Sequence, residues 1–543
     1  MVGAAQIPAA DPARAGPAAH PVVKQAALFL LPGLSVALPV VGQTSRLWRP
    51  EERVVLPDLR FVGAVAADDS YLFIASRHAL GLYDRRMMRW LPPVTRVDGY
   101  PAAAVTIALA DPSDRSIWLG TREGLFNYSP LLQEIRRISI VGGVRMLMLD
   151  AANPVGGLYV RTATGWELLP LGGMATFPAT NLPSLQNRIM PLSIEQVIRS
   201  LPMLEGMRSF VLTDDRLRTY RYTAAARVPH SEEVLLGTDG LGAILLDPLT
   251  ATFTRLDFGL MGQGAGAVTV VPGGVWVAAL RDSERRGFTF VSDDLQRFEY
   301  DEGPRVTGFG LRSVRSVVMR ASGLWAATDA GIVWVRPGGD VRRIDIELPL
   351  AESYALAPSD SGLWVGTAGG LAFVDDFGVV SHVAGALGRP VFAVSATEDS
   401  VWFGTSDGLV VYSTHSRELL VPALIASEPQ LLDPIIATAL VGDTLVVATQ
   451  QRVLWRAPDG AWQNEGRIVS NIGLLRKLAP DSGGIWIGGD QGFAFFRFAF
   501  REFTFFNARG DIPGRVRDMA VSNEYLWIAT EGGLVRFSKR ALL

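Results

Sequence analysis

The sequence predicts an all-β protein assembled from a repeated four-stranded unit, and three observations predict it. A hairpin recurs along the chain, its copies are evenly spaced, and each turn carries the residues a tight reversal requires. The cleanest copy is VWFGTSDGLVVY, residues 401–412. Val401, Trp402 and Phe403 suit a pleated, buried strand, Gly404-Thr405 closes it, and Ser406-Asp407-Gly408 turns the chain with glycine at the position expected to need a positive φ. Near copies are IWLGTREGLFNY (117–128), LWAATDAGIVWV (324–335), LWVGTAGGLAFV (363–374), IWIGGDQGFAFF (485–496) and LWIATEGGLVRF (526–537).

Aligned on the Trp402 position, the hairpins anchor at Phe73, Trp118, Tyr159, Leu235, Trp276, Trp325, Trp364, Trp402, Val446, Trp486 and Trp527. The gap between Tyr159 and Leu235 spans almost two periods, and FVLTDDRLRTYRY supplies a degenerate twelfth copy at Phe210. The mean spacing is about 41 residues, which with β signals marks the blade of a β-propeller. Between hairpins, VRDMAVS (516–522) reads as an inner strand and TFTRLDF (252–258) as an outer one. About twelve blades exceed one ordinary ring, so two tandem propellers are expected. The long interval between Trp276 and Trp325 suggests six plus six, dividing residues 43–304 from 305–543, with seven plus five as the other division. The chain reaches Leu543 just after a return strand, so the last blade needs an outer strand from elsewhere. RLWRPEERVVL, residues 46–56, is placed to supply it and to close the ring.

The tryptophans at 118, 276, 325, 364, 402, 486 and 527 are read as packing anchors between blades, because a large ring fills the space between facing sheets. Asp239, Asp329, Asp407, Asp490, Glu123 and Glu531 fall in hairpin turns, where solvated turn chemistry accounts for them without a metal.

Composition narrows function. The 543 residues are 48% hydrophobic and 19% charged, which fits a globular chain with a large core. The formal net charge is −3 with no basic block, so nucleic acid is not an expected partner. Absence of cysteine excludes disulfides, thiolate metal sites and a catalytic thiol. The five histidines, His20, His78, His230, His382 and His415, show no HxH or HExxH spacing, and no nucleophile elbow or phosphate loop occurs. No cofactor or metal is expected. Residues 1–42 read as a leader: Lys24 precedes the apolar run 26–41, too short and Pro-interrupted to span a membrane. An exported, periplasmic or extracellular location follows, with no membrane span in the mature chain.

The pattern W-[IVLFA]-[GA]-T-x-[DEG]-G-[LI] resembles the two-component regulator propeller repeat, found in tandem in periplasmic sensor regions of bacterial hybrid histidine kinases and related receptors. The resemblance covers most of 60–540 and is strongest over 323–537. It implies a propeller used for ligand sensing or protein contact and carries no catalytic residues to this chain. No kinase or receiver region follows in this sequence, so a stand-alone propeller is expected.

The function expected is a non-catalytic exported propeller that binds a partner protein, a glycan or a small ligand, in envelope sensing or assembly. The alternative is a propeller-fold lyase or hydrolase with an axial active site. The binding surface is placed at the longest insertion, 173–209, where Ile194, Ile198, Leu201 and Leu204 fall near one helical face interrupted at Pro202. Arg199 and Arg208 are its polar candidates. The turn ALRDSERRGF (279–288) adds Arg281, Arg285 and Arg286 as candidate contacts for an acidic group.

Overall fold

In the computed structural model the described residues are 48–153, 156–201, 211–214, 216–280, 287–302, 313–420, 428–456, 460–507 and 510–542. They form eleven antiparallel sheets of four or five strands, numbered here as blades in chain order. Blades 1 to 4 span residues 62–95, 105–138, 146–189 and 211–256. Blades 5 to 10 span 265–301, 314–344, 353–382, 391–420, 437–465 and 475–507, and blade 11 spans 516–538.

The repeat explains each blade locally. The second strands of blades 6, 7 and 10 are buried at every position, so they are apolar throughout rather than alternating. The threonine that ends such a strand locks the turn. In blade 8 the Thr405 hydroxyl donates to the Gly408 carbonyl at 2.9 Å and accepts from the Asp407 N–H at 3.1 Å. The same hydroxyl-to-glycine bond recurs at Thr121, Thr328, Thr367 and Thr530. Gly408 has φ +112, as the turn demands. Gly404 serves close approach instead: a Cβ there would lie 2.6 Å from Ile435 of the next blade.

The closing strand is where the sequence placed it. Arg53–Leu56 pairs antiparallel with Gly533–Ser538, Val54 opposite Arg536 and Leu56 opposite Leu534, and becomes the outer strand of blade 11. Val54, Val55 and Leu56 are fully buried by it.

The order of inner strands defines the rings. In blades 5 to 11 each inner strand packs against the next, and that of blade 11 packs against that of blade 5, making a closed circuit of seven. Inner strands of blades 3, 2, 1 and 4 follow one another in a separate arc. A strap of chain after blade 3 spans the remaining side, pairing Ile189 with Leu149 of blade 3 and Leu192 with Ala225 of blade 4.

By their inner-strand contacts the sheets group as blades 1 to 4 and blades 5 to 11, with Leu256 and Ala265 on either side of the join. One expectation is corrected here. The hairpin expected as a twelfth blade near Phe210 instead supplies Val211–Thr213 and Thr219–Arg227 to the sheet anchored at Leu235: the long strand 219–227 pairs with both neighbours, so one blade absorbs two sequence copies.

Arc and ring share a core. One apolar cluster joins Leu72 and Ile74 of blade 1, Leu235 of blade 4, Val268 and Val277 of blade 5 and Trp527 of blade 11. Trp90 stacks on Phe258 at 4.2 Å, and the Gln296 side chain brackets the Trp90 backbone, accepting from its N–H at 2.8 Å and donating to its carbonyl at 3.1 Å. At the seam of blades 10, 11 and 5, buried Asp518 accepts from the Val268 N–H and pairs with Lys477, both at 3.0 Å.

The tryptophan anchors divide by depth. Trp325, Trp486 and Trp527 are fully buried and Trp364 nearly so, whereas Trp118, Trp276 and Trp402 are half-buried. No helix among the described residues is long and apolar enough to cross a membrane.

Candidate functional site

Between blades 7 and 8 a cleft of about 730 Å³ opens on the face that carries the turns between first and second strands. That volume lies within the range of small-molecule sites. Its apolar wall is aromatic. Trp364 comes from the second strand of blade 7, with Phe373 beside it on the third strand at a ring distance of 4.9 Å. Tyr412, from the third strand of blade 8, meets Trp364 edge-on at 5.6 Å.

The rim is polar. The turn Ser359-Asp360-Ser361 contributes one side and Thr397-Glu398 the equivalent turn of blade 8, with His382 and Arg417 at the outer end. Arg320 of blade 6 fixes the first turn by donating to the backbone carbonyls of Ser359 and Asp360. Its guanidinium is anchored in turn by Asp376 at 2.9 and 3.0 Å, and that hydrogen-bonded pairing lowers the Asp376 pKa. In blade 8 the Thr414 hydroxyl donates to the Glu398 carbonyl at 2.6 Å. His382 Nε2 donates to the Glu347 carbonyl at 2.5 Å, which fixes the ring at the rim. The Asp360, Glu398 and Arg417 side chains are exposed.

The indole nitrogens of the blades differ in their partners, and those of Trp462 and Trp527 have none. In blade 10 the Trp486 N–H donates to Asp481 at 2.9 Å, in blade 2 the Trp118 N–H donates to Asp111 at 3.0 Å, and in blade 6 Trp325 reaches Ser322 at 3.2 Å. Five residues before Trp364, where blade 10 has Asp481, blade 7 has Ser359, whose hydroxyl instead donates to the Gly362 carbonyl. No described residue accepts from the Trp364 indole. The blade carboxylate sits one residue later, as Asp360. The cleft therefore combines an aromatic platform, an unsatisfied donor within it, and carboxylates at both lips.

Of the arginines expected at a binding surface, Arg199 alone is among the described residues. Arg199 is on the short helix Ile194–Ser200, exposed, with Glu195 at 3.9 Å. That helix packs Val197 into the core of blade 4, with Ile194 and Leu201 partly buried beside it. Arg208, Arg281, Arg285 and Arg286 fall outside the described residues, as does Leu204. The turn acids are not simply solvated: Asp490 pairs with Arg476 at 2.7 Å and Glu531 with Arg517. No set of three or more His, Asp or Glu among the described residues is grouped to hold a metal. Sequence reasoning passed over the cleft because two repeats build it. The available signal was the pair of short outer strands Val380–His382 and Leu419–Leu420 that leave the space open.

Fold and cleft define the class: a β-propeller with an aromatic inter-blade cleft. No family model matches the chain, and no curated protein does. Among solved structures it is similar to the extracellular domain of the putative hybrid two component system BT4673 from B. thetaiotaomicron, at 15% identity over 88% of this chain and 70% of that one, with a TM-score of 0.43. The corresponding domain of BT3049 from the same organism gives 13% identity, 89% and 82% coverage and a TM-score of 0.43. Virginiamycin B lyase from Staphylococcus aureus matches over 50% of this chain and 94% of its own, at 12% identity and a TM-score of 0.41. No residue of the cleft is assigned from these likenesses.

Proposed function

We propose that this protein is an exported, non-catalytic propeller that binds a glycan in the cleft between blades 7 and 8, as a sensing or assembly component of the cell envelope. The observation that carries the reading is Trp364, held against Phe373 and Tyr412 with its indole N–H unbonded and carboxylates at both lips. A sugar ring presents C–H faces that pack on aromatic planes and hydroxyls that both donate and accept. The cleft offers the matching partners: carboxylates as acceptors, and Arg417 and the indole as donors. Export rests on the apolar run 26–41 behind Lys24.

The test is titration of the full chain with a panel of neutral and amino-substituted oligosaccharides, followed by tryptophan fluorescence and calorimetry. Binding is expected with a change in indole emission, weakened at least tenfold in an Asp360→Asn, Glu398→Gln double variant whose exposed substitutions leave the melting temperature unchanged. A panel with no binder, or affinity unaltered in the double variant, overturns the reading.

A further inference from the structure

A second site is built at one mouth of the axial channel of the seven-bladed ring, and it rests on a device repeated in six of the seven blades. Their inner strands carry a β-bulge near the start, between Ala265 and Ala267, Val314 and Ser316, Ser353 and Ala355, Val391 and Ala393, Leu475 and Lys477, and Val516 and Asp518. A bulge leaves one residue out of the ladder and re-aims its side chain. On the strand that borders the axis, the re-aimed residue stands at the channel mouth. In blade 9 Ile436 takes this place, just ahead of the strand Ala437–Val441.

Read around the ring, the bulged positions separate into two arcs. Arg476, Arg517, Gly266 and Arg315 occupy blades 10, 11, 5 and 6. Tyr354, Phe392 and Ile436 occupy blades 7, 8 and 9. The residues touch their neighbours: the Arg315 guanidinium lies 4.4 Å from the Tyr354 ring centre, and the Tyr354 and Phe392 rings meet edge-on at 5.4 Å. Gly266 leaves a gap within the basic arc. The three arginine side chains are between 32% and 46% exposed, so the mouth is open to solvent.

The basic arc is not a simple anion site, because acids from the hairpin turns stand among the arginines. Arg476 holds Asp490 in a two-pronged pair at 2.7 and 2.9 Å, and Arg517 holds Glu531, each acid fourteen residues after its arginine. The charges of Arg515 and Arg517 also bear on Asp490. Blade 6 breaks the pattern. The acid fourteen residues after Arg315 is Asp329, but Arg315 turns away to Glu352 at 2.6 Å. Asp329 is left with a buried carboxylate oxygen that has no hydrogen-bond partner. A buried, unsatisfied carboxylate oxygen is costly unless something supplies a donor.

A rim of three arginines among four acids, one with an unmet acceptor, beside an apolar arc fits neither a plain anion nor a plain cation. We infer that the mouth binds a zwitterion with an apolar body, a free α-amino acid with an aromatic or branched side chain: its carboxylate on the arginine arc, its ammonium supplying the donor that Asp329 lacks, and its side chain against Tyr354, Phe392 and Ile436. Carboxylate recognition by guanidinium groups is the strong, geometrically specific element. The site is distinct from the inter-blade cleft and does not depend on it.

The experiment titrates the full chain by calorimetry with four probes: L-phenylalanine, 3-phenylpropanoate, which lacks the ammonium, 2-phenylethylamine, which lacks the carboxylate, and L-serine, which lacks the apolar body. L-phenylalanine is expected to bind at least tenfold more tightly than each of the other three. Asp329→Asn and Arg517→Gln are each expected to reduce its affinity tenfold or more, while the Asp360→Asn, Glu398→Gln cleft variant binds it as the parent does. Equal affinity for 3-phenylpropanoate, absence of phenylalanine binding, or binding lost in the cleft variant but kept in both rim variants overturns the inference. Circular dichroism of the two rim variants separates lost binding from lost fold, and binding retained by both folded variants also refutes it.

Discussion

Removing the closing strand tests the architecture directly. A chain that begins at Arg46 keeps Arg53–Leu56, and one that begins at Pro57 lacks it. The loss can be sized from burial: Val54, Val55 and Leu56 are 1%, 3% and 0% exposed. At about 1.5 to 3 kcal/mol for each fully buried aliphatic side chain, the strand contributes on the order of 5 to 9 kcal/mol before its ladder with Gly533–Ser538 is counted. Trp48, whose ring meets Phe537 at 5.2 Å, adds to this. A whole domain is stable by about 5 to 15 kcal/mol, so the shorter chain should lose cooperative unfolding or much of its urea midpoint. It should also exchange the amides of 533–538 rapidly and bind a hydrophobic dye. A synthetic peptide of residues 46–57 added in trans should restore protection. If the chain starting at Pro57 melts at the same urea concentration as the one starting at Arg46, with 533–538 still protected, ring closure by the N-terminal strand is wrong.

Further expectations concern the anchors and the acid limb. Trp486→Ala should cost about 3 to 5 kcal/mol in urea unfolding, because the ring is fully buried against Phe495 at 4.5 Å and its N–H is bound by Asp481. Trp402→Ala, at a half-buried anchor, should cost visibly less, and equal losses would show that burial depth does not rank the anchors. At Asp214, burial alone would raise the carboxyl pKa, but hydrogen bonds from the Arg218 backbone and side chain and from the Tyr220 hydroxyl more than reverse this and bring it to about 2. Since the folded value lies below the unfolded one, its contribution is complete above about pH 4 and fades as pH falls toward 2. The stability gap between parent and Asp214→Asn should therefore close over that window, and a gap constant from pH 5 to 2 would count against the assignment.

Much of the fold was legible because the unit is local. The hairpin, its glycine at positive φ and the threonine that locks it lie within a dozen residues, and the need for a closing strand follows from counting strands in the last blade. The ring division was not legible, since it depends on which inner strands become neighbours, and nothing within a repeat states that. Thr219–Arg227 shows the same limit: a strand that pairs on both sides looks in sequence like the half of another hairpin. The bulged rim positions escaped notice for a related reason. They are occupied by Gly266, Arg315, Tyr354, Phe392, Ile436, Arg476 and Arg517, so there is no shared residue type to align. The cleft at Trp364 left no signal inside its own repeat, since the serine five residues before the tryptophan recurs as Ser522 in blade 11.

The pairing of Val54 with Arg536 joins points about 480 residues apart and has a consequence for how the chain matures. During synthesis the strand Arg53–Leu56 emerges well before its partner, so three aliphatic side chains wait, uncovered, while about 480 further residues are made. The loop-closure entropy for a free segment of that length is only about 5 to 6 kcal/mol, since it grows as the logarithm of length. Timing is the greater burden. Because the four-bladed arc lies within that loop and shares a core with blades 5 and 11, its earlier folding would draw the ends together and provide a surface on which the ring starts and finishes. Completion of the seven-bladed ring thus becomes a late, slow event, as expected where contacts are distant in sequence. A ribosome stalled before Gly533 would leave a chain whose first strand is still an open invitation to aggregate.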